Sequence, residues 1–497
     1  MGTGAELVTV EARFVEAQEG RTEVILSGLP DPVIRESRGR LTCALAENRL
    51  HIPPGRLYLN LVPAGRRKAG EILDLPLAIG AAAAVGHLNP RCLENVLMLG
   101  EMGIDGTLHG GPGGLAAASL ARELQYDRLI APVLSARQAA FVPGIKVFAC
   151  RNLAEVAGLL SGNGQPKALS PGIAGNLAVS DSTRLASVRG QELGLEALSV
   201  AAAGGHALLF VGPPGTGKSL LARALIDMLP PLQLDERIEL TRVDSATGKW
   251  SAGLASERPF RSPHHTTSYA GLVGGGSPPK PGEITLAHLG VLFLDELPEF
   301  KREVLECLRQ PLEEGKISIA RAGVQLELPA KFQLVAAMNP CPCGYHGHPR
   351  VPCRCSEREI WRYRNRLSGP FMDRIDLCVE LGPPDLETLV RREASDHTSK
   401  VDQRLELVSR ARAKAWERLP GVRTADLGTT QLETFCPLTP PITRLFERAS
   451  RKHELSARAI QSLRRIARTL ADLEDSTMVE EQHFLRALAM RAPLTIS

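Results

Sequence analysis

The chain carries one contiguous motif that could hold a polyphosphate, at residues 212–219. Its sequence, GPPGTGKS, has the spacing GxxxxGK[ST] of a phosphate-binding loop, or P-loop. Glycines in such a loop let successive backbone N–H groups converge on phosphate oxygens, and the dipole of the following helix adds to the attraction. We expect Lys218 to reach the β- and γ-phosphates of ATP and the Ser219 hydroxyl to ligate Mg²⁺. The predicted ATP-binding residues are Gly212, Pro213, Pro214, Gly215, Thr216, Gly217, Lys218 and Ser219.

A second pair of acidic residues could complete a hydrolytic site. The run VLFL at 291–294 predicts a buried parallel strand, and Asp295 and Glu296 follow at its carboxyl end, where open α/β sheets bind ligands. Asp295 is expected to hold Mg²⁺ through water and Glu296 to orient and polarise the attacking water. Asn339 ends another apolar run and could position the same water, although Asn-Pro is also an ordinary turn. The acidic pair favours hydrolysis over nucleotide binding alone.

Four of the ten cysteines crowd into fifteen residues, as Cys341-Pro-Cys343 and Cys353-Arg-Cys355. Four thiolates can complete a tetrahedral Zn²⁺ site, and His346 or His348 could replace one of them. In a reducing compartment the spacing favours structural zinc, with free thiols as the alternative and disulfides last.

An arginine-rich segment follows the cysteines directly. Arginines recur every four residues, at 354, 358, 362 and 366, so that a helix would place them on one face beside Trp361 and Tyr363. Guanidinium groups with aromatic rings suit phosphate and base contacts in DNA, which makes Arg358, Arg362 and Arg366 candidate DNA-binding residues. A basic helix at a subunit interface is the competing interpretation.

These residues need a scaffold, and the chain divides accordingly. Strand-like and helical patterns alternate over residues 1–160, a Gly/Pro/Ser-rich stretch at 161–176 reads as a linker, and strand–helix alternation resumes to about 379, as in an αβα sandwich. From about 385 the pattern is almost entirely helical.

The net charge of +4 is too small to argue for nucleic acid except through a local patch. The charged N-terminus and the absence of a long apolar stretch predict a cytoplasmic protein without a membrane partner.

Longer stretches carry a family resemblance. The block RPFRSPHHTTSYAGLVGGGSPPKPGEITLAHLGVLFLDELPEF at 258–300, NPCPCG at 339–344, SGPFMDRIDL at 368–377 and SARAIQSLRRIARTLADL at 456–473 resemble the YifB/ComM family of magnesium-chelatase-like AAA+ ATPases over nearly the full length. The resemblance implies a Lon-protease-like domain of the ribosomal S5 domain 2 type at 1–165. It further implies an AAA+ core with a magnesium-chelatase-type insertion at 178–384 and a helical lid at 385–497.

The family also implies a function and further site residues. It implies a homo-hexameric ring ATPase on single-stranded or branched DNA, a helicase that drives branch migration in recombination and in the integration of transforming DNA. Arg374 matches the family's arginine finger, which stabilises the phosphoryl group bound by a neighbouring subunit, and Arg458 matches the sensor-2 arginine. Without the resemblance, a surface salt bridge would be the simpler role for either arginine.

Two further segments take their interpretation from the resemblance. The insertion at 240–285 and a hairpin within KISIARAGVQLELPAKF would face the pore of the ring, with Lys316, Arg321 and Lys331 as candidate phosphate contacts. The paired His264 and His265 in the insertion could be metal ligands or buried hydrogen-bonding groups.

The stretch KAGEILDLP at 68–76 contains no serine where the Lon protease has its nucleophile, which argues against proteolysis. The alternative functions are the ATPase motor of a metal chelatase or other protein-remodelling complex, and a nucleotide-gated scaffold without catalysis.

Overall fold

The structure, a computed structural model, describes residues 4–18, 20–28, 32–63, 71–163, 166–170, 172, 182–248, 253–276, 280–321, 324–384, 394–453 and 455–491. The chain forms two compact units, Met1–Asn176 with Gln233–Ser256, and Leu177–Leu232 with Glu257–Ser497. Parts of the predicted linker at 161–176 and of the KAGEILDLP stretch lie outside the described residues, as does the start of the predicted lid at 385–393.

The strands are β1 Thr9–Glu16, β2 Glu23–Ser27, β3 Gly55–Val62, β4 Val96–Met98, β5 Glu101–Met102, β6 Leu108–His109, β7 Arg128–Pro132, β8 Lys146–Cys150, β9 Leu208–Val211, β10 Phe260–Arg261, β11 Gly274–Gly275, β12 Lys280–Pro281, β13 Val291–Leu294, β14 Lys316–Arg321, β15 Val324–Pro329, β16 Gln333–Met338 and β17 Leu377–Glu380. The helices are α1 Pro32–Glu47, α2 Asp74–Ala84, α3 Gly114–Glu123, α4 Val133–Ala139, α5 Leu153–Leu160, α6 Thr183–Ala186, α7 Glu192–Gly204, α8 Lys218–Met228, α9 Leu234–Ala246, α10 Tyr269–Val273, α11 Glu283–Leu286, α12 Arg302–Glu306, α13 Arg309–Glu314, α14 Glu357–Arg364, α15 Gly369–Met372, α16 Ala394–Arg418, α17 Thr429–Phe435, α18 Pro440–His453, α19 Ala457–Leu473 and α20 Glu481–Ala489. Short 3-10 turns lie at Glu71–Leu73, Pro90–Leu93, Leu297–Glu299 and Thr424–Asp426.

The first unit is an α/β structure with two three-stranded sheets. In one sheet β3 lies between β1, which is antiparallel to it, and β2, which is parallel. The alternation of β3 explains the packing, because Leu57, Leu59 and Leu61 are fully buried while the residues between them face outward. The second sheet is parallel, in the order β4-β7-β8. The mixed α/β character predicted for residues 1–165 is present in these elements.

A segment from the middle of the chain joins this first unit. Helix α9 begins with a capping box between Gln233 and Glu236, and its Ile238 packs in the same apolar cluster as Leu115 and Leu129. The sequence-based division placed this segment inside the ATPase core, whereas the compact division groups Gln233–Ser256 with the N-terminal unit. The boundary predicted at 385 falls within the second unit. The two predicted domain boundaries, at the linker 161–176 and at residue 385, therefore remain predictions.

The second unit is built on a five-stranded parallel sheet in the order β10-β13-β16-β9-β17. Alternate residues of β13 enter two different cores, Val291 and Phe293 on one face and Leu292 and Leu294 on the other. Because the apolar strands are buried on both faces, they lie between two layers, as the predicted αβα sandwich requires. The C-terminal helices complete one of these layers, with Leu463 of α19 and Phe484 of α20 in the same core as Phe293.

None of the helices in the described part of the chain is long and apolar enough to cross a membrane.

Candidate functional site

The predicted P-loop joins a buried strand to a helix. It follows β9, and α8 begins at Lys218. Gly215 and Gly217 have φ angles of 80° and 85°, a region that favours glycine, and a Cβ added at either would meet no heavy atom within 4 Å. At Gly212 a Cβ would instead lie 2.6 Å from the carbonyl oxygen of Leu381. The glycines therefore serve two purposes, because Gly212 allows close packing and the other two shape a loop with open space before it.

Lys218 is drawn into this loop. Its Nζ donates to the carbonyl oxygens of Gly212 at 2.6 Å and Pro213 at 2.9 Å, and to Oδ1 of Asn339 at 3.2 Å. Burial lowers the pKa of the Lys218 ammonium, and the nearby Asp295 carboxylate opposes that shift. The cation thus lies between the P-loop and the predicted water-positioning residue Asn339.

The two residues predicted to ligate Mg²⁺ are in direct contact. Ser219 Oγ donates to Oδ2 of Asp295 at 2.9 Å, and the other carboxylate oxygen of Asp295 accepts from the backbone N–H of Glu296 at 2.9 Å. Hydroxyl and carboxylate oxygens are the protein ligands that Mg²⁺ prefers, usually alongside water and phosphate oxygens. The donor set therefore fits a Mg²⁺–nucleotide complex.

Glu296 has an unusual backbone and an unexpected partner. Its φ of 53° and ψ of 46° are left-handed, which costs a non-glycine residue about 1–2 kcal/mol. Its Oε2 lies 3.1 Å from Nδ1 of His265, whose ring packs against that of His264 with a centroid distance of 4.1 Å. Among the described residues, the only three or more His, Cys, Asp or Glu side chains that converge as metal ligands are those of the cysteine cluster. The contact with Glu296 favours the hydrogen-bonding alternative for His265, but His264 is exposed and His265 is half-buried, so the pair is not buried as expected.

Two contacts that the sequence did not predict support the loop and Asn339. Gln191 is buried, and its Nε2 donates to the carbonyl oxygens of Thr216 at 3.1 Å and Gly382 at 2.9 Å. Tyr363 is hydrogen-bonded to the backbone of Asn339, and burial raises the pKa of its phenol to about 12. No motif points to either contact, because each joins residues far apart in the chain. Tyr363, expected beside the arginines as a ring suited to base contacts, is instead buried.

The P-loop, the Asp295–Glu296 pair and Asn339 share one edge of the sheet. Gly212 follows β9, Asp295 follows β13 and Asn339 follows β16, so all three lie at the carboxyl ends of parallel strands. Arg374 lies three residues before β17, at the amino edge of the same sheet.

Arg458 lies near the same amino edge. It is in the first turn of α19, and Ser462 of that helix donates to Oδ1 of Asp376 at 2.5 Å, one residue before β17 begins. Arg491 strengthens this attachment by donating to the carbonyl oxygen of Ile375 at 2.7 Å. The structure thus brings Arg458 together with Arg374 and not with the P-loop of its own chain.

Both arginines contact one carboxylate. Glu313 Oε1 accepts from Nη2 of Arg374 at 2.7 Å and also from Nη2 of Arg458. The hydrogen bond from Arg458 is the largest cause of a lowered pKa of the Glu313 carboxyl. The Arg374 side chain is only 8% exposed, and burial lowers the pKa of its guanidinium.

The four clustered cysteines converge as their spacing suggested. The Sγ atoms of Cys341, Cys343, Cys353 and Cys355 all lie within 4.8 Å of one another, and those of Cys341, Cys343 and Cys353 are separated by 3.3, 3.5 and 3.6 Å. Backbone N–H groups point at the sulfurs, and those of Arg354 and Tyr345 hold the pKa of the Cys343 thiol at about 6. Neither His346 nor His348 belongs to the group, and Nδ1 of His348 instead accepts from the backbone N–H of Val351 at 2.9 Å.

The arginine-rich helix is shorter than its periodicity suggested. A capping box between Ser356 and Glu359 begins α14 after Arg354, and the helix ends before Arg366. Of the four periodic arginines, only Arg358 and Arg362 therefore lie on the helix, and both are exposed beside Trp361, which is 60% exposed. Arg366 forms an ion pair with Glu299 at 2.8 Å.

The predicted hairpin is present as β14 and β15, an antiparallel pair in which Lys316 lies opposite Pro329. Lys316 Nζ is 3.4 Å from Oε2 of Glu327 on the facing strand, and Lys331 is exposed just beyond the hairpin. The side chain of Arg321 lies outside the described residues.

Comparisons with known proteins agree with this architecture. A family model described as magnesium chelatase, subunit ChlI, matches residues 184–389, and models of the ChlI subunit and of its C-terminal part match residues 14–134 and 396–491. The chain is 40% identical to the competence protein ComM of Haemophilus influenzae over 99% of this chain and 96% of that one. This chain belongs to the ComM/YifB family of magnesium-chelatase-like AAA+ ATPases.

Two further relatives match the chain at lower identity. The chain is 38% identical to the uncharacterized protein YifB of Escherichia coli, over 99% of this chain and 95% of that protein. It is 27% identical to the magnesium-chelatase 38 kDa subunit of Acidiphilium rubrum, over 57% of this chain and 81% of that subunit. The ComM/YifB relatives thus match over almost the whole chain and the chelatase subunit over little more than half of it.

Proposed function

We propose that this ComM/YifB family member is one subunit of a hexameric ring ATPase that moves along branched or single-stranded DNA. In the cell this motor would drive branch migration during recombination, including the integration of transforming DNA. The single observation that supports a ring is that the P-loop and the two arginines, Arg374 and Arg458, lie at opposite edges of one sheet.

The distance between these edges decides which nucleotide the arginines can serve. Strands β9 and β17 are parallel neighbours of four residues each, with Leu208 opposite Leu377. Four residues of strand span roughly 13 Å, so the edge with Arg374 is at least that far from the edge where the P-loop begins. An arginine cannot stabilise a transferring phosphoryl group without contacting it. Arg374 and Arg458 would therefore act on a nucleotide held by another copy of the chain.

Head-to-tail contacts of this kind close into rings. One face of each subunit offers the P-loop and the opposite face offers the two arginines, which is a heterologous interface. In a closed ring, the P-loop of every subunit faces the two arginines of a neighbour. The number six comes from the family resemblance.

The residues at the carboxyl edge have complementary roles in hydrolysis. Lys218 and the P-loop N–H groups bind the phosphates, Ser219 and Asp295 hold Mg²⁺, and Glu296 orients and polarises the attacking water. Mg²⁺, when held by these residues, would neutralise negative charge on the phosphates. In this structure Glu296 contacts His265, so its side chain would turn from that partner toward the water before each turnover.

The DNA part of the proposal is supported by exposed cationic and aromatic side chains. Arg358, Trp361 and Arg362 form one exposed surface on α14, suited to phosphate contacts and base stacking. Lys316 is the first residue of β14, and Lys331 follows the end of β15 by two residues. The relative from Haemophilus influenzae is a competence protein, which agrees with the proposed role in the integration of transforming DNA.

We also propose that the cysteine cluster holds a structural zinc ion. Sulfurs at the corners of a tetrahedron around Zn²⁺ lie about 3.8 Å apart when each Zn–S bond is about 2.3 Å. The Sγ atoms of Cys341, Cys343 and Cys353 are 3.3–3.6 Å apart, close to that spacing. Four protein ligands leave no position for water, so the ion would brace the segment between β16 and α14 and take no part in chemistry.

The DNA proposal is tested with purified chain, a synthetic four-way junction, ATP and Mg²⁺. We expect ATP-dependent strand exchange and faster ATP hydrolysis in the presence of DNA. Replacing both Arg358 and Arg362 by Ala should weaken DNA binding and flatten its dependence on salt, because phosphate contacts release counterions. ATP hydrolysis that does not respond to DNA, without strand exchange, would contradict the proposal and favour a chelatase-type remodelling motor.

A further inference from the structure

The carboxylate of Glu313 is shared by two cations of the proposed trans site. A single oxygen, Oε1, accepts from Nη2 of both Arg374 and Arg458. One negative charge against two positive charges leaves the cluster with a net charge of +1. The three residues come from distant parts of the chain, since Glu313 is 61 residues from Arg374 and 145 from Arg458.

The three side chains differ in how firmly they are held. Arg374 is 8% exposed and also donates from Nη1 to the carbonyl oxygen of Pro370 at 2.5 Å, so it keeps one anchor without Glu313. Its buried Nε has no hydrogen-bond partner among the described residues. Arg458 and Glu313 are 42% and 43% exposed, and both can exchange their partners with solvent. Glu313 is thus the replaceable member of the cluster.

A carboxylate and a phosphate offer the same feature to a guanidinium, namely oxygen atoms that accept charge-assisted hydrogen bonds. The donor atoms that now contact Glu313 are the ones a phosphate would need. An additional buried donor, Nε of Arg374, has no partner in the described part of the chain and could serve a phosphate with more than one oxygen.

We infer that Glu313 is a positioning residue that occupies, in the free subunit, the place taken in the ring by a phosphate of the neighbouring subunit's ATP. The inference rests on the proposed function, because it assumes that Arg374 and Arg458 act in trans. Assembly on ATP then exchanges one anion for another. Glu313 keeps the two arginines together before assembly and competes with the nucleotide during it.

This competition has a measurable consequence for assembly. Removing the charge of Glu313 leaves both arginines free to accept the neighbour's phosphate, so rings should form at lower protein concentration. Half-exposed ion pairs are screened by water, so the effect should be modest, roughly a 3- to 10-fold decrease in the protein concentration that gives half-maximal ATP hydrolysis.

The experiment measures ATP hydrolysis per subunit against protein concentration, at saturating ATP and Mg²⁺, for the full chain and the variant Glu313→Gln. Glu314→Gln is the matched control, since it removes the same charge from the next residue of α13, where Glu314 accepts from Nε2 of Gln310 at 2.9 Å. Glu313→Asp keeps the charge on a shorter side chain and should fall between wild type and Glu313→Gln. Thermal unfolding of each variant verifies that the fold is intact.

A lower half-maximal concentration for Glu313→Gln alone supports the inference. An unchanged or higher half-maximal concentration overturns it. Glu313 would then have no effect on assembly, or would promote it by holding the arginines in place. Arg374→Ala separates this failure from a failure of the proposed function. If Arg374→Ala hydrolyses ATP like wild type, the trans site itself is wrong; if it is inactive while Glu313→Gln matches Glu314→Gln, only the role of Glu313 is wrong.

Discussion

Glu296 is the residue on which the proposed hydrolysis depends most directly. The variant Glu296→Gln keeps the shape of the side chain but cannot take a proton from water, so we expect ATP turnover to fall about 100-fold or more. Binding of ATP should persist, because Lys218 and the P-loop are unchanged. Turnover is measured from phosphate release, and retained nucleotide is measured after rapid gel filtration.

A matched control uses Glu303, an exposed residue at the start of α12, for which Glu303→Gln makes the same change away from the site. This control should hydrolyse ATP at the wild-type rate. Wild-type turnover by Glu296→Gln would show that another group activates the water.

For individual residues, the sequence predicts contiguous motifs better than it predicts which distant side chains contact one another. The P-loop and the Asp295–Glu296 pair are short runs whose neighbours along the chain build the strand and helix they need, and the structure places Ser219 against Asp295. Glu313 could not be predicted as the partner of Arg374 and Arg458, because only the tertiary fold brings these side chains together. The contact of His265 with Glu296 was missed for the same reason, although the histidine pair itself was noticed.

Among the elements, the segment between β16 and α14 shows how far local patterns reach. The Cys-x-Cys pairs predicted a cluster, and all four sulfurs converge. The arginine periodicity predicted a longer helix than the structure contains. Periodicity alone does not define helix ends, whereas the capping box at Ser356 begins α14 after Arg354.

The cysteine segment should contain one zinc ion per chain, measurable by atomic absorption on the purified protein. The double variant Cys353→Ser, Cys355→Ser should lose the metal and unfold at lower temperature, because the ion no longer ties the two halves of the segment together. Cys43→Ser, which alters an exposed cysteine of α1, is the control and should keep the zinc. A purified chain that contains no zinc and takes up none on titration would leave the cluster as free thiols.

For the whole molecule, the sequence predicts the class of each part better than the division between them. Alternating apolar patterns predicted the α/β first unit and the parallel sheet of the second. The packing of α9 with the N-terminal unit could not be predicted, because the helix lies between two stretches of the other unit along the chain.

Sharing of the site between subunits can be tested by mixing two inactive variants. Lys218→Ala removes the phosphate ligand but keeps both arginines, and Arg374→Ala removes an arginine but keeps the P-loop. Neither variant should hydrolyse ATP alone. In a mixture with equal amounts, about a quarter of the interfaces in a ring would pair an intact P-loop with intact arginines, so we expect roughly a quarter of the wild-type rate.

The control mixture combines Lys218→Ala with Glu296→Gln, two changes on the same side of the interface. No interface in that mixture is complete, and it should stay inactive. If Arg374 served the nucleotide of its own chain, the first mixture would stay inactive as well, because no subunit in it carries both Lys218 and Arg374. Recovery of activity in the first mixture and not in the second therefore requires that one subunit's arginine act at the P-loop of another.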